Sequence, residues 1–575
     1  MTSTITPALE AVPVAGEPVA VPRPPGPTAG CAVLTLAVLA VAVTDPAHPL
    51  WTGTVLALAA LTVGWGGGPV YQAALRRGGV TADTLSALGL LAVLGAAVAA
   101  ALGNPADLGP AVVAAATATL HGAGAELEAR FEPDTPEITA DVREAQPVER
   151  ARRGAAALER ATERAIGGFA AVVAVAAVAA LGFWLGAGTG AASALGVAAA
   201  VLLVGCPRVV GRAVGVALVA GTARAVQLGA LVDGPRTAEA LARVDTVVLC
   251  RTGTVTTGVR SLTAVHVAEG VDADEALRIA GAVASAGRKA GGATGGHPIG
   301  AVIADAARGR FGELPGVAEF DGYPALGVRG IVTELHIGSG DEPRVLAHAA
   351  LVGRVALLTA HGIALPDELA AAVTTVHAAG ATAVAVSWDG VARAVLGVTD
   401  PLRAGAPEAA HALRELGLST VLLTGDDAGA AHGLAAALGI EDVLADVAAA
   451  DRGAAVARLR AAGRTVAVVG GPADQVALAD ADVALVRPGG ERPGVVTLDD
   501  DPLTAVDALR TARATARTVE RTLTGAAAYH LVMLPAAVAG LLPPLAAAAA
   551  AVAFPVGVLL HATALRRVRT LPRPT

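Results

Sequence analysis

The chain has 575 residues, more than one domain's worth, of which 54% are hydrophobic and only 16% charged, too apolar for an ordinary soluble protein. Its formal net charge of -8 offers no basic surface to nucleic acid. Three cysteines, Cys31, Cys206 and Cys250, do not make a disulfide framework.

Residues 1–28 are rich in Pro, Ala and Val and lack the basic start of a secretory signal; they read as a disordered cytosolic tail. Apolar stretches almost free of charge follow at 30–43, 51–65, 84–102 and 109–120. More lie at 166–185, 191–204, 526–541 and 545–561. Each approaches the ~20 residues that a helix needs to cross a bilayer. Buried helices of a soluble protein are the alternative, and the near absence of Glu and Lys within all of these stretches argues against it. Arg76, Arg77, Arg566, Arg567 and Arg569 flank apolar stretches, while the loops at 45–49, 104–108 and 186–190 carry no Lys or Arg. Positive residues stay cytoplasmic, so both termini are expected inside, with an even number of spans.

The expected order is four spans within 29–124, a polar linker at 125–164, two spans within 165–222, a soluble block, and two last spans within 522–563. The soluble block alternates β-branched runs with Ala-rich helical pattern. Strands are predicted at 246–249, 381–387, 420–423, 465–469 and 483–486, and helices at 404–416, 428–438 and 451–462. Such alternation gives a parallel sheet wrapped by helices, whose ligands sit at the carboxyl ends of its strands. Three of those ends are polar or Gly-rich: Cys250-Arg251-Thr252-Gly253-Thr254, Thr424-Gly425-Asp426-Asp427 and Gly470-Gly471-Pro472. Residues 261–378 look like an insertion after the first strand.

Taken in order, these motifs resemble the heavy-metal-transporting P-type ATPases, copper/heavy-metal subgroup. The segment ending Cys250-Arg251-Thr252-Gly253-Thr254 parallels the family's phosphorylation sequence Asp-Lys-Thr-Gly-Thr. Gly296-His297-Pro298-Ile299 resembles its His-Pro motif and Thr424-Gly425-Asp426 its Thr-Gly-Asp motif. Gly205-Cys206-Pro207-Arg208 stands where the family has Cys-Pro-Cys in the membrane. The resemblance implies a multi-spanning α-helical membrane protein with a cytosolic α/β phosphorylation domain, haloacid-dehalogenase-like (HAD-like) and Rossmann-type, at 234–260 and 379–509. A nucleotide-binding domain would be inserted at 261–378. It implies ATP-driven export of a heavy-metal cation from the cell, with Mg²⁺ as cofactor. The residues at the family's catalytic positions are Cys250, Arg251, Thr252, Thr424, Gly425, Asp426, Arg452 and Asp474. Those at its nucleotide positions are His297, Pro298, Gly327, Gly330 and Asp400, and the remaining potential metal ligands are Cys206, His530 and His561.

Departures from the family pattern bear on mechanism. The phosphorylated Asp is Cys250, and a thiolate suits Mg²⁺ badly. A cysteinyl-phosphate is chemically conceivable, but the arginine cradle of cysteine phosphatases needs Arg six residues on, where Thr256 stands; the plain alternative is an inert thiol at a strand end. The family's Gly-Asp-Gly-x-x-Asn-Asp loop reads Gly470-Gly471-Pro472-Ala473-Asp474-Gln475, without its first Asp, and the phosphate-contacting Lys is Arg452, which keeps charge but not geometry. The linker at 125–164 is too short for the family's actuator domain, and Thr-Gly-Glu occurs nowhere in the chain. Arg208 and Arg212, four apart and so on one helix face, either repel a cation in the transport path or reach headgroups. His530 and His561 are either metal ligands or structural. One Gly of the Gly-x-Gly strand is Ala325, and ATP binding remains open. The expected protein is thus an ATP-binding member impaired in transport, a pseudoenzyme. Its alternatives are a regulatory or scaffold protein beside an active pump, a transporter using unorthodox residues, and a decaying reading frame.

Overall fold

The computed structural model describes the chain except for residues 1–27, 45–48, 78–80, 106, 131–167, 207, 233, 291–297, 325, 337–343, 488–494, 498–500, 569 and 574–575. Nearly all of the expected tail, most of the polar linker, and the His-Pro residue His297 therefore lie outside the described residues. The chain divides into two units, one formed by 1–132, 162–209 and 525–558, the other by 133–161, 210–524 and 559–575.

The first unit is helical. It contains α1 (Thr28–Thr44), α2 (Pro49–Arg77), α3 (Ala82–Gly103), α4 (Gly109–Arg130), α5 (Gly168–Gly186) and α6 (Ala191–Val204). Thr81 caps α3, its hydroxyl accepting from the Thr84 amide at 3.2 Å. Small residues let these helices approach closely: a Cβ on Gly89 of α3 would lie 3.1 Å from the Leu203 side chain of α6. Among the described residues four helices are long and apolar enough to cross a membrane, Trp51–Arg76, Ala82–Gly103, Gly168–Gly186 and Pro544–Arg567. The described apolar helices Thr28–Val43 and Ala191–Val204 are shorter. Helix α6 ends at Gly205, and α7 (Arg208–Gln227) follows.

The second unit holds two sheets. The first has seven strands in the order β1-β13-β12-β11-β2-β9-β10, comprising β1 (Ala230–Val232), β2 (Thr246–Cys250), β9 (Ser419–Leu423), β10 (Asp442–Leu444), β11 (Val466–Gly470), β12 (Val483–Val486) and β13 (Val495–Thr497). All neighbours are parallel except β1 with β13. Strand β2 lies inside the sheet, between β11 and β9, and is buried throughout, the sign of a sheet covered on both faces. Its alternation sends Val247 and Leu249 into one apolar cluster and Val248 and Cys250 into the other. Helices α8 (Gly234–Arg243), α13 (Ala406–Glu415), α14 (Ala428–Leu438), α15 (Arg452–Ala461) and α16 (Gln475–Ala479) lie between the strands in sequence; the long α17 (Pro502–Val538) runs from this unit into the first, to which most of α18 (Pro544–Thr563) belongs.

The second sheet is antiparallel, ordered β3-β8-β7-β6-β5-β4, from β3 (Ser261–Val267), β4 (Gly316–Tyr323), β5 (Gly327–His336), β6 (Arg344–Gly353), β7 (Thr382–Trp388) and β8 (Val391–Thr399), with α9 (Ala273–Ala290), α10 (Pro298–Phe311), α11 (Val355–Ala360) and α12 (Asp367–Ala378). This corrects one expectation. The run at 381–387 does not join the parallel sheet; it is β7, which pairs with β6 and β8. The inserted segment therefore runs to Thr399 rather than ending at residue 378. A fully buried apolar strand reads alike in either sheet, so its pattern could not assign it.

Candidate functional site

The carboxyl end of β2 is Cys250, and Cys250 is a core residue. It is 0% exposed and packs with Val421, Leu423, Val468 and Ala477. Burial pushes its thiol well above the ordinary range, and the nearby Asp474 carboxylate pushes in the same direction. The group is thus a neutral thiol, not a nucleophilic thiolate.

Two ion pairs flank it. Arg251, 4% exposed, pairs through Nη1 with Asp426 Oδ2. Burial lowers the Arg251 pKa to about 10, against the opposing pull of Asp400. The Asp426 carboxylate also accepts from the Thr424 hydroxyl at 3.0 Å, whose oxygen accepts the Asp426 amide at 3.1 Å. On the other side Arg452 donates to Asp474 Oδ1, and the Gly471 amide donates to Asp474 Oδ2 at 3.1 Å. Asp474 is 2% exposed. Mg²⁺ requires oxygen ligands in near-octahedral array. Here one strand end offers a thiol, and both carboxylates are already held by guanidinium groups. The residues present do not fit Mg²⁺.

Gly253 turns the chain after Cys250, with φ at +71°, a conformation that glycine adopts without strain. Thr252 accepts from Arg260 Nη2 at 3.1 Å. Asp400, expected beside nucleotide, is instead 3% exposed and accepts from the Thr256 hydroxyl at 2.8 Å, the Thr257 hydroxyl at 3.3 Å and the Gly258 amide at 2.8 Å. It joins the segment leaving the parallel sheet to the segment returning from β8.

A cavity lies between the two sheets, lined by Ile299, Leu326, Gly327, Val352 and Arg354 on one side and by Gly425 and Asp426 on the other. Gly327 has φ at +151°, and a Cβ there would lie 2.4 Å from the Val352 carbonyl oxygen. Pro298 opens α10 and does not line the cavity, nor do Gly330 or Asp400. Gly330 instead allows close strand packing, since its Cβ would meet Val317 at 2.5 Å. Sequence reasoning missed Arg354 and Arg487. Arg354 Nη2 donates to the Gly425 carbonyl at 2.6 Å and Nη1 pairs with Asp446. Arg487 is buried and donates to the Thr254 carbonyl at 3.4 Å. Neither belongs to a motif, and only the position of each at a strand end could have drawn attention to it.

Residues 244–482 match the haloacid dehalogenase-like hydrolase family, in keeping with the parallel sheet. Over 426 residues the chain is 34% identical to a probable copper-exporting P-type ATPase V of Mycobacterium tuberculosis, a match covering 73% of this chain and 53% of that protein. A copper-exporting P-type ATPase of Mycobacterium leprae is 36% identical over 410 residues, 70% of this chain and 49% of that protein. The chain belongs to the heavy-metal P-type ATPases. It spans about half the length of these curated relatives. Its fold is similar to the crystal structure of a zinc-transporting PIB-type ATPase in an E2.Pi state, with TM-score 0.53 and 20% identity, over 94% of this chain and 99% of that one.

Among the described residues no group of three or more His, Cys, Asp or Glu converges. Cys206 donates to the Ala82 carbonyl at 3.3 Å and accepts from the Ser86 hydroxyl at 3.2 Å, tying the break after α6 to the start of α3. His530 Nδ1 lies 2.8 Å from the Ala526 carbonyl, and its ring packs edge-on against Phe169 and Tyr529. His561 is exposed on α18. The Arg208 side chain lies outside the described residues, and Arg212 is half-buried in α7.

Proposed function

We propose that this P-type ATPase relative is a nucleotide-binding membrane protein that does not complete phosphoryl transfer. The observation that carries this reading is Cys250, fully buried in the core at the end of β2, where the family plan places its phosphorylated Asp. Phosphoryl transfer depends on positioning and on metal-borne charge stabilisation, and both the nucleophile and the Mg²⁺ carboxylates are absent or committed to arginines. The cavity between the sheets, apolar at one end and polar at Arg354 and Asp426, suits a nucleoside with phosphates. In this reading the chain sits in the plasma membrane with both termini and both sheets cytoplasmic. It acts beside an active heavy-metal pump as a regulator or scaffold, since its own potential ligands Cys206, His530 and His561 do not assemble a transport site.

The test is incubation of the purified, detergent-solubilised chain with γ-labelled ATP and Mg²⁺, alongside Cys250→Ala. No label should enter either protein. Label that enters the native chain and is absent from the variant would make Cys250 a working nucleophile and end the reading.

A further inference from the structure

The cavity contains its own cation, held in a way that a phosphate can take over. Arg354 is the first residue after β6, and its placement is fixed by backbone contact. A Cβ on the preceding Gly353 would lie 2.2 Å from the Leu326 carbonyl oxygen and 2.7 Å from Gly327 Cα, so β5 and β6 touch main chain to main chain there. The Arg354 amide donates to the Leu326 carbonyl at 2.8 Å. From this pinned backbone the guanidinium crosses from the antiparallel sheet to the parallel one, donating to the Gly425 carbonyl and pairing with Asp446. Its side chain is 30% exposed, and that of Asp446 is 52% exposed. An exposed ion pair of this kind is weak and is open to exchange. Of the described residues lining the cavity, Arg354 is the one cation and Asp426 the one acid, and Asp426 is already neutralised by Arg251.

We infer that Arg354 receives the phosphates of a nucleoside di- or triphosphate in this cavity and that binding there needs no divalent cation. The inference rests on the nucleotide-binding reading above. A planar guanidinium presents paired donors that match phosphate oxygens, so an incoming phosphate replaces Asp446 as its partner. The two carboxylates at the neighbouring strand ends, Asp426 and Asp474, are spent on Arg251 and Arg452, and the displaced Asp446 is a single exposed carboxylate. The nucleoside end meets Ile299, Leu326 and Val352.

The full-length protein in detergent is titrated with ADP and with adenosine, first in EDTA and then in excess Mg²⁺. In EDTA, ADP should bind at least about tenfold more tightly than adenosine, the gain expected of charge-assisted hydrogen bonds, and Mg²⁺ should not tighten it. Arg354→Ala should collapse that ratio towards one, and Arg354→Lys should restore part of it. ADP binding that appears only with Mg²⁺ overturns this inference and leaves nucleotide binding standing. An unchanged ADP-to-adenosine ratio in Arg354→Ala, or equal losses for both ligands, also overturns it by making Arg354 structural. No binding of either ligand in either buffer overturns both readings.

Discussion

Arg251 and Asp426, far apart in sequence, meet as an ion pair at the end of β2, with the arginine buried and the carboxylate 16% exposed. The pair occupies the region to which the family plan assigns phosphate and Mg²⁺. Removing one partner leaves the other charged and poorly solvated, at a cost of about 3–5 kcal/mol for a buried pair. Asp426→Asn should therefore lower the thermal midpoint of the full chain clearly, and Arg251→Met combined with Asp426→Leu should recover much of that loss. The comparison is made by thermal unfolding in detergent; a single variant as stable as the parent would mean that the pair contributes nothing.

Cys250 should resist alkylation. Because burial raises its pKa, the folded protein keeps the thiol protonated while an unfolded chain begins to ionise near the ordinary value of about 8.5. Two consequences share that sign. Stability drawn from the protonated thiol is intact below that value and falls as pH rises above it. Labelling of native Cys250 by iodoacetamide should stay low between pH 8 and 9, whereas denatured protein labels faster at the higher pH. Peptide mass mapping reads both, and rapid native labelling would contradict the burial.

Cys250→Asp should not restore phosphorylation. The new carboxylate would enter an apolar cluster beside Asp474, where like charge and burial favour its protonated form. The loop from Gly470 still lacks the family's Mg²⁺-holding Asp. No acid-stable label from γ-labelled ATP is expected, and its appearance would show that this one residue was the whole defect.

Gly327→Ala should weaken nucleotide binding and lower stability by about 1–3 kcal/mol, the range for strained backbone. The added Cβ would strike the Val352 carbonyl oxygen and Gly353. Denaturant unfolding with a parallel ADP titration would check both effects, and a silent substitution would disprove the close approach.

Much of this was legible in the sequence. Strands at β2, β9, β11 and β12 and helix α14 lie where β-branched runs and Ala-rich pattern put them. The departures from the family pattern at Cys250 and Gly471 are visible in single letters. What the letters could not give is pairing. Nothing local to Arg251 points to Asp426, and nothing local to Gly353-Arg354 says that its guanidinium will cross to Gly425. Strand β7 pairs with β6 and β8, and its apolar signature is the same as that of the buried strands in the parallel sheet, so pattern alone does not place it. The expected nucleotide role of Asp400 rested on a motif, whereas its three accepted hydrogen bonds come from residues more than a hundred positions earlier.

Those three hydrogen bonds have an architectural consequence. By holding residues 256–258 against Asp400, they bring the two ends of the inserted sheet side by side, so the insert is a loop closed at its neck. A unit whose entry and exit coincide is portable. It can be excised with its neck intact, or transplanted into another protein with the same gap, without drawing apart the strands of the sheet it leaves behind.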